Sequence, residues 1–175
     1  MNKFMKIVFA ILVVIAIVGV SIWYITDTPS KSTNHLFFIE RSKNKNIVQY
    51  DVQQMKNTDL REPNPVVVYW ILENGKKEKL NLIQRKYAYG IKSQKKLDKN
   101  NFRILLVALK DREIIVKKIK DSYKAVISIE GKDSILEKVY IKSMERSFRK
   151  PKVLYIDLFG FDVKTNRPTK ERISI

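Results

Sequence analysis

The apolar positions fall into two regimes. Residues 7–25 (IVFAILVVIAIVGVSIWYI) form an unbroken run of nineteen uncharged residues. Beyond residue 34 the apolar residues come in short segments, most of them alternating with polar ones. The first regime predicts a membrane-spanning helix, because at about 1.5 Å per residue it covers roughly 28 Å, close to the hydrocarbon thickness of a bilayer. A helix also satisfies each backbone N–H within the segment, as lipid requires. Lys3 and Lys6 precede the run, and Trp23 and Tyr24 lie at its far end, where aromatic rings favour the headgroup level. The positive flank predicts a cytoplasmic N-terminus with the rest of the chain outside. The alternative is a cleaved signal peptide, whose apolar region is about 7–15 residues and ends in a small-x-small site. Gly19-Val20-Ser21 is a poor match to such a site. Both readings export the remaining chain. The expected organisation is a membrane anchor or signal over 1–26, a polar tether with Pro29 over 27–34, and an exported domain over 35–175.

The second regime predicts a mainly β domain. Segments 36–41 and 47–53 flank the polar break Asn44-Lys45-Asn46 and read as a hairpin, with Val48, Tyr50 and Val52 on one face. Residues 66–72 (VVVYWIL) are continuously apolar, which suits a central strand buried on both faces, and Asn74-Gly75 ends it with a turn. Residues 80–89 give the one helical pattern outside the anchor, with Leu80, Ile83 and Tyr87 at helical spacing and Gly90 as a cap. Strand patterns follow at 102–109, 114–119, 123–130, 135–144 and 153–163, and Gly160 inside the last suggests a bulge or a close backbone approach. About eight strands with short connections predict an antiparallel sheet, closed as a barrel or folded as a sandwich, with one short helix.

Charge changes this picture. The net charge is +17, and Lys3, Lys6 and Asp27 account for only +1 of it, so about +16 falls on residues 31–175. Such a field attracts phosphate headgroups, acidic polysaccharide or nucleic acid. Export and the preponderance of Lys over Arg, the better bidentate phosphate ligand, weigh against nucleic acid. A Lys-rich solvated surface explains the same letters without a ligand. The chain has no Cys, which removes disulfides and thiol chemistry, and one histidine, His35, which leaves neither a His-based triad nor a typical zinc site its partners. Glu40, Asp51, Glu73, Asp157 and Asp162 lie in or beside strands without glycosidase-like spacing. Asp157 shares an alternation face with Tyr155 and Phe159, which calls for an ion pair. No glycine-rich phosphate loop is present.

Two segments combine basic, amide and aromatic side chains. One holds Arg41, Lys43 and Asn44; the other is QRKYAYG, with Gln84, Arg85, Tyr87 and Tyr89. Stacking rings beside cations suit a sugar, a base or a headgroup. The plainer reading is an ordinary turn in the first segment and a half-buried helix packing its tyrosines on the sheet in the second.

The segments FFIERSKNKNIVQYDV (37–52), VYWI (68–71), QRKYAYGI (84–91) and YIDLFGFDVKTNRPTKERI (155–173) together resemble the bacterial domain-of-unknown-function family 4833, over about 36–173. Asn166 stands where Gly is expected, and Asn tolerates a left-handed turn. The resemblance implies no activity, cofactor or catalytic residue. From the anchor, the charge and the absence of recognisable catalytic machinery, the expected function is a non-catalytic binding or envelope-structural module. Its partner would be anionic lipid, polysaccharide or an envelope protein, with no cofactor and no metal. The alternative is an extracytoplasmic hydrolase or transferase using carboxylates and tyrosines.

Overall fold

Alternation of apolar and polar residues becomes alternation of burial. In β1 (His35–Arg41) Phe37 and Ile39 are fully buried, and in β2 (Asn44–Val52) Val48 and Tyr50 are, as period-two geometry requires of a strand with one core face. In this computed structural model the described residues are 34–54, 60–144 and 152–175. The expected anchor over 1–26 and all of the tether but residue 34 lie outside them. Among the described residues no helix is long and apolar enough to cross a membrane.

The remaining elements are β3 (Val66–Ile71), β4 (Lys77–Lys79), helix α1 (Leu82–Tyr87), β5 (Ile91–Lys96), β6 (Phe102–Leu106), β7 (Glu113–Ile119), β8 (Ser122–Ile129), β9 (Lys132–Met144), β10 (Lys152–Asp162) and β11 (Pro168–Ser174). All eleven strands join one sheet in the order β4-β3-β2-β1-β9-β8-β7-β6-β5, with β10 and β11 on the other edge of β9. Strand β9 is the hinge of the design. Along one edge it pairs first with β8, around Ile135, and then with β1, around Val139. Along its other edge it pairs with β10. Two four-stranded wings thus leave the same edge of β9, and the sheet curls into a half-barrel around a shared core that includes Phe37, Tyr50, Ile104, Ile114 and Leu136. Phe37 and Tyr50 stack there with centroids 4.4 Å apart.

Several expectations need correction. The sheet is mixed, because β1 runs parallel to β9. A parallel neighbour needs a long crossover, and here the whole excursion from β2 to β8 supplies it. The end strands β4 and β5 share no ladder, so closure stops at a half-barrel. Strand β3 is next to the edge, not central. Val66 and Trp70 are buried, whereas Val67 and Ile71 are half-buried on the opposite face. Strands β4 (KEK), β5 (IKSQKK) and β11 (PTKERIS) were missed because their side chains are mostly exposed. Lys-rich edges of this kind discourage pairing with another chain. The helix is shorter than 80–89.

The expected features of Gly160 are both present. A register shift separates Phe159 from Gly160, and a Cβ there would lie 2.4 Å from the Ile135 carbonyl oxygen. Asn166 has φ 55°, the left-handed conformation anticipated for it.

Candidate functional site

The cleft forms where the β1–β2 and β3–β4 turns meet α1. Arg41 ends β1, two residues after the buried Ile39, and its guanidinium lies 4.5 Å from the centre of the Trp70 ring and 5.7 Å from that of Tyr89. Trp70 and Tyr89 meet edge to face, with centroids 5.3 Å apart. Cation–ring contacts of this kind contribute about 0.5–2 kcal/mol. Arg41 Nη2 donates to Asn44 Oδ1 at 3.0 Å and Nη1 to the Tyr89 hydroxyl at 3.5 Å. Its Nε is buried without an acceptor. Among the described residues Arg41 has no carboxylate partner, whereas Arg103, Arg112 and Arg172 each have one.

Local sequence explains how α1 is held. Asn81 caps the helix by accepting from the Gln84 N–H at 2.8 Å, and Gln84 Oε1 accepts from the Asn81 N–H at 3.0 Å. This reciprocal box needs an Asn and a Gln three residues apart. Gln84 Oε1 also accepts from Trp70 Nε1 at 3.1 Å, which ties the helix to β3. Gly90 follows because a Cβ would collide with the Arg85 carbonyl oxygen, 1.8 Å away. The buried Tyr50 hydroxyl donates to the Tyr89 carbonyl at 2.5 Å, and burial raises its pKa so that it stays a neutral donor.

The cleft has a volume of about 370 Å³, and its lining includes Arg41, Asn46, Trp70, Lys79, Asn81 and Gln84. Its three amides are used one-sidedly. Asn46 Oδ1 accepts from the Glu73 N–H, Asn81 Oδ1 from Gln84, and Gln84 Oε1 from Asn81 and Trp70. The oxygen ends are engaged, and among the described residues the amide NH₂ ends meet no acceptor, which leaves them as donors beside Arg41 and Lys79. One acid, Glu78, also lines the cleft, and its carboxylate pairs with Lys76 at 3.1 Å. A cleft rich in donors is suited to an acceptor-rich ligand, such as a phosphate or carboxylate with neighbouring hydroxyls.

Arg41, Asn44, Gln84 and Tyr89 of the expected residues come together here. Lys43 lies in the β1–β2 turn, and Arg85 and Tyr87 are exposed on α1. The expected packing of the helix tyrosines on the sheet holds only for Tyr89, since Tyr87 is 67% exposed. Trp70, Asn46, Lys79 and Asn81 were missed. The Asn81–Gln84 spacing is a readable cap signal. Trp70 sits in an apolar run that reads as pure core.

The carboxylates take structural roles. Asp157 receives a bidentate pair from Arg172, Nε to Oδ1 and Nη2 to Oδ2, both at 2.7 Å, and this hydrogen bonding holds its pKa below the usual range despite burial. Asp51 accepts from the Tyr69 hydroxyl, from Gln49 Nε2 at 2.9 Å, and from the His35 ring at 3.1 Å. Burial pushes its pKa up, and these hydrogen bonds more than offset that, so it too is lowered. Glu40, the neighbour of Arg41 in the chain, pairs with Lys138 at 3.1 Å. Among the described residues no three His, Cys, Asp or Glu are grouped to hold a metal.

Neither the curated proteins nor the solved structures compared with this chain gave a match. The model of the domain-of-unknown-function family DUF4833 matches residues 37–172, which include every residue of the cleft, and the chain therefore belongs to that family.

Proposed function

We propose that this domain is a non-catalytic binding module, exposed outside the cytoplasmic membrane, that captures an anionic and hydroxylated envelope component in the Arg41 cleft. One observation carries the reading. Arg41 has no carboxylate partner among the described residues, and it shares the cleft with three amides whose oxygens are already engaged. Charge-assisted donation to an oxyanion is the strongest interaction such an array offers. The charge of about +16 on residues 31–175 would raise the local concentration of an anionic ligand. The uncharged run 7–25 supports an anchored display with the domain on the outer side.

The rival enzyme reading is less well supported. Asp51 is held as an ionised acceptor by Tyr69, Gln49 and His35, and Asp157 by the fork of Arg172, where a general acid needs a raised pKa.

Calorimetric titration of the full chain in detergent tests the proposal, with glycerol phosphate, glucuronate and neutral glucose at two salt concentrations. Binding of one anion should persist at physiological salt and be lost in Arg41→Ala. Binding that follows ionic strength alone and is unchanged in Arg41→Ala would refute a built site.

A further inference from the structure

Helix α1 turns its apolar side away from the core. Leu82, Ile83 and Tyr87 are 80%, 72% and 67% exposed, and no residue of the helix is buried. At about 100° per residue, positions 82, 83, 86 and 87 share one arc, while Gln84 points the other way, toward Trp70. Single exposed apolar residues are ordinary. Three contiguous ones on a helix pinned by a capping box and by Trp70 form a fixed patch, and patches of this kind mark interaction surfaces. Lys86, whose ammonium lies 5.2 Å from the Tyr87 ring, and Arg85 border it on the same helix, and Lys79 lines the neighbouring cleft, all exposed. None of the three has a carboxylate partner among the described residues.

Apolar and aromatic side chains ringed by cations are the make-up of a helix that lies in a membrane interface. We infer that this face of α1 docks on an anionic lipid bilayer. Leu82, Ile83 and Tyr87 enter the interface, Arg85 and Lys86 meet lipid phosphates, and the adjoining Arg41 cleft takes one phospholipid headgroup. The inference rests on the proposed anion site and names its ligand. Charge complementarity selects the occupant. Each basic residue near an anionic surface adds to the attraction, whereas a second copy of this strongly basic chain would be repelled.

The chain has no cysteine, so Ile83→Cys and, at the β5–β6 turn, Lys99→Cys each give one labelling site for a polarity-sensitive fluorophore. The labelled full chain is placed in nanodiscs of phosphatidylcholine alone or mixed with phosphatidylglycerol, with brominated lipid as quencher. The position-83 label should be quenched at least twofold more in the anionic discs than in the neutral ones. It should lose that difference in Leu82→Asp and in Arg85→Glu/Lys86→Glu, and the position-99 label should not respond. Equal responses from the two labels, or self-quenching between chains without lipid quenching, would overturn the docking face. Glycerol phosphate titration separates the two readings. Arg41-dependent binding without lipid quenching leaves the cleft standing and removes the docking face. Quenching without any glycerol phosphate binding removes the headgroup assignment and the anion site together.

Discussion

The side-chain amide of Gln94 bonds to both backbone groups of Val66: its Oε1 accepts from the Val66 N–H at 2.9 Å and its Nε2 donates to the Val66 carbonyl at 3.0 Å. Val66 opens β3 and Gln94 lies in β5, strands that share no ladder. One side chain thus supplies the hydrogen bonds that an adjacent strand would give, at the seam where the half-barrel falls short of closing.

Gln94→Ala should therefore lower stability by about 1–3 kcal/mol, because two buried backbone groups lose their partners. Urea titration should show a lower midpoint at unchanged slope. Gln94→Glu keeps an acceptor for the N–H and loses the donor to the carbonyl, so its midpoint should also fall. Unchanged midpoints in both variants would show that the seam adds nothing.

Arg41→Ala should weaken binding of the anionic ligand by at least tenfold, as expected when a charged hydrogen bond worth about 1.5–3 kcal/mol is removed. Arg41→Lys should recover only part of it, since an ammonium lacks the planar fork and stacks less well on Trp70. Full recovery in the Lys variant would mean that only net charge matters.

Two glycines should respond differently to substitution. In Gly160→Ala the new Cβ would lie 2.4 Å from the Ile135 carbonyl oxygen, which is backbone, so the β9–β10 ladder must shift at a cost of about 1–3 kcal/mol. Gly75 has φ +78° with open space around it, so its alanine variant should lose only about 1 kcal/mol through turn strain. Thermal melts of the pair check the order, and a more damaging Gly75→Ala would contradict it.

Acid should destabilise the domain through Asp157 and Asp51. Both have folded pKa values below the ordinary carboxylate value of about 3.9, so the unfolded chain takes up protons first. Their stabilisation is full above the unfolded value and is lost as pH falls from there through the folded values. Melting temperatures measured across that range should fall with acid in the wild type. Asp157→Asn should be less stable near neutrality, where its charge-assisted pair with Arg172 is gone, and should show a shallower acid slope. An unaltered slope would assign the acid sensitivity elsewhere.

Much of the strand content was legible because a half-buried strand writes burial into every second letter. Phe37 and Ile39, Val48 and Tyr50, Phe102, Ile104 and Leu106 all alternate and all face the core. Strands β4, β5 and β11 were not legible in this way, because what makes them strands is the ladder partner they meet, and their own side chains are largely in water. The parallel contact of β1 with β9 was equally hidden, since Ile39 and Val139 are joined across a hundred residues that carry no local sign of the pairing.

For the site, the chain itself determined the ingredients: Arg41 and Asn44 at one turn, Gln84 and Tyr89 around one helix, the cap spacing of Asn81 and Gln84, and the excess of positive charge. Those are local or compositional properties. Tertiary structure alone decided which of them meet. It placed Trp70 beneath Arg41, turned Gln84 inward, and left Ile83 and Tyr87 outward together with Leu82, although the spacing of Leu80, Ile83 and Tyr87 put the latter two on the same face as the buried Leu80. The physical reason is that a six-residue helix contributes too little burial to set its own orientation. The cap, the indole hydrogen bond and the close approach of Gly90 to Arg85 fix it instead, and each depends on where the strands bring the backbone.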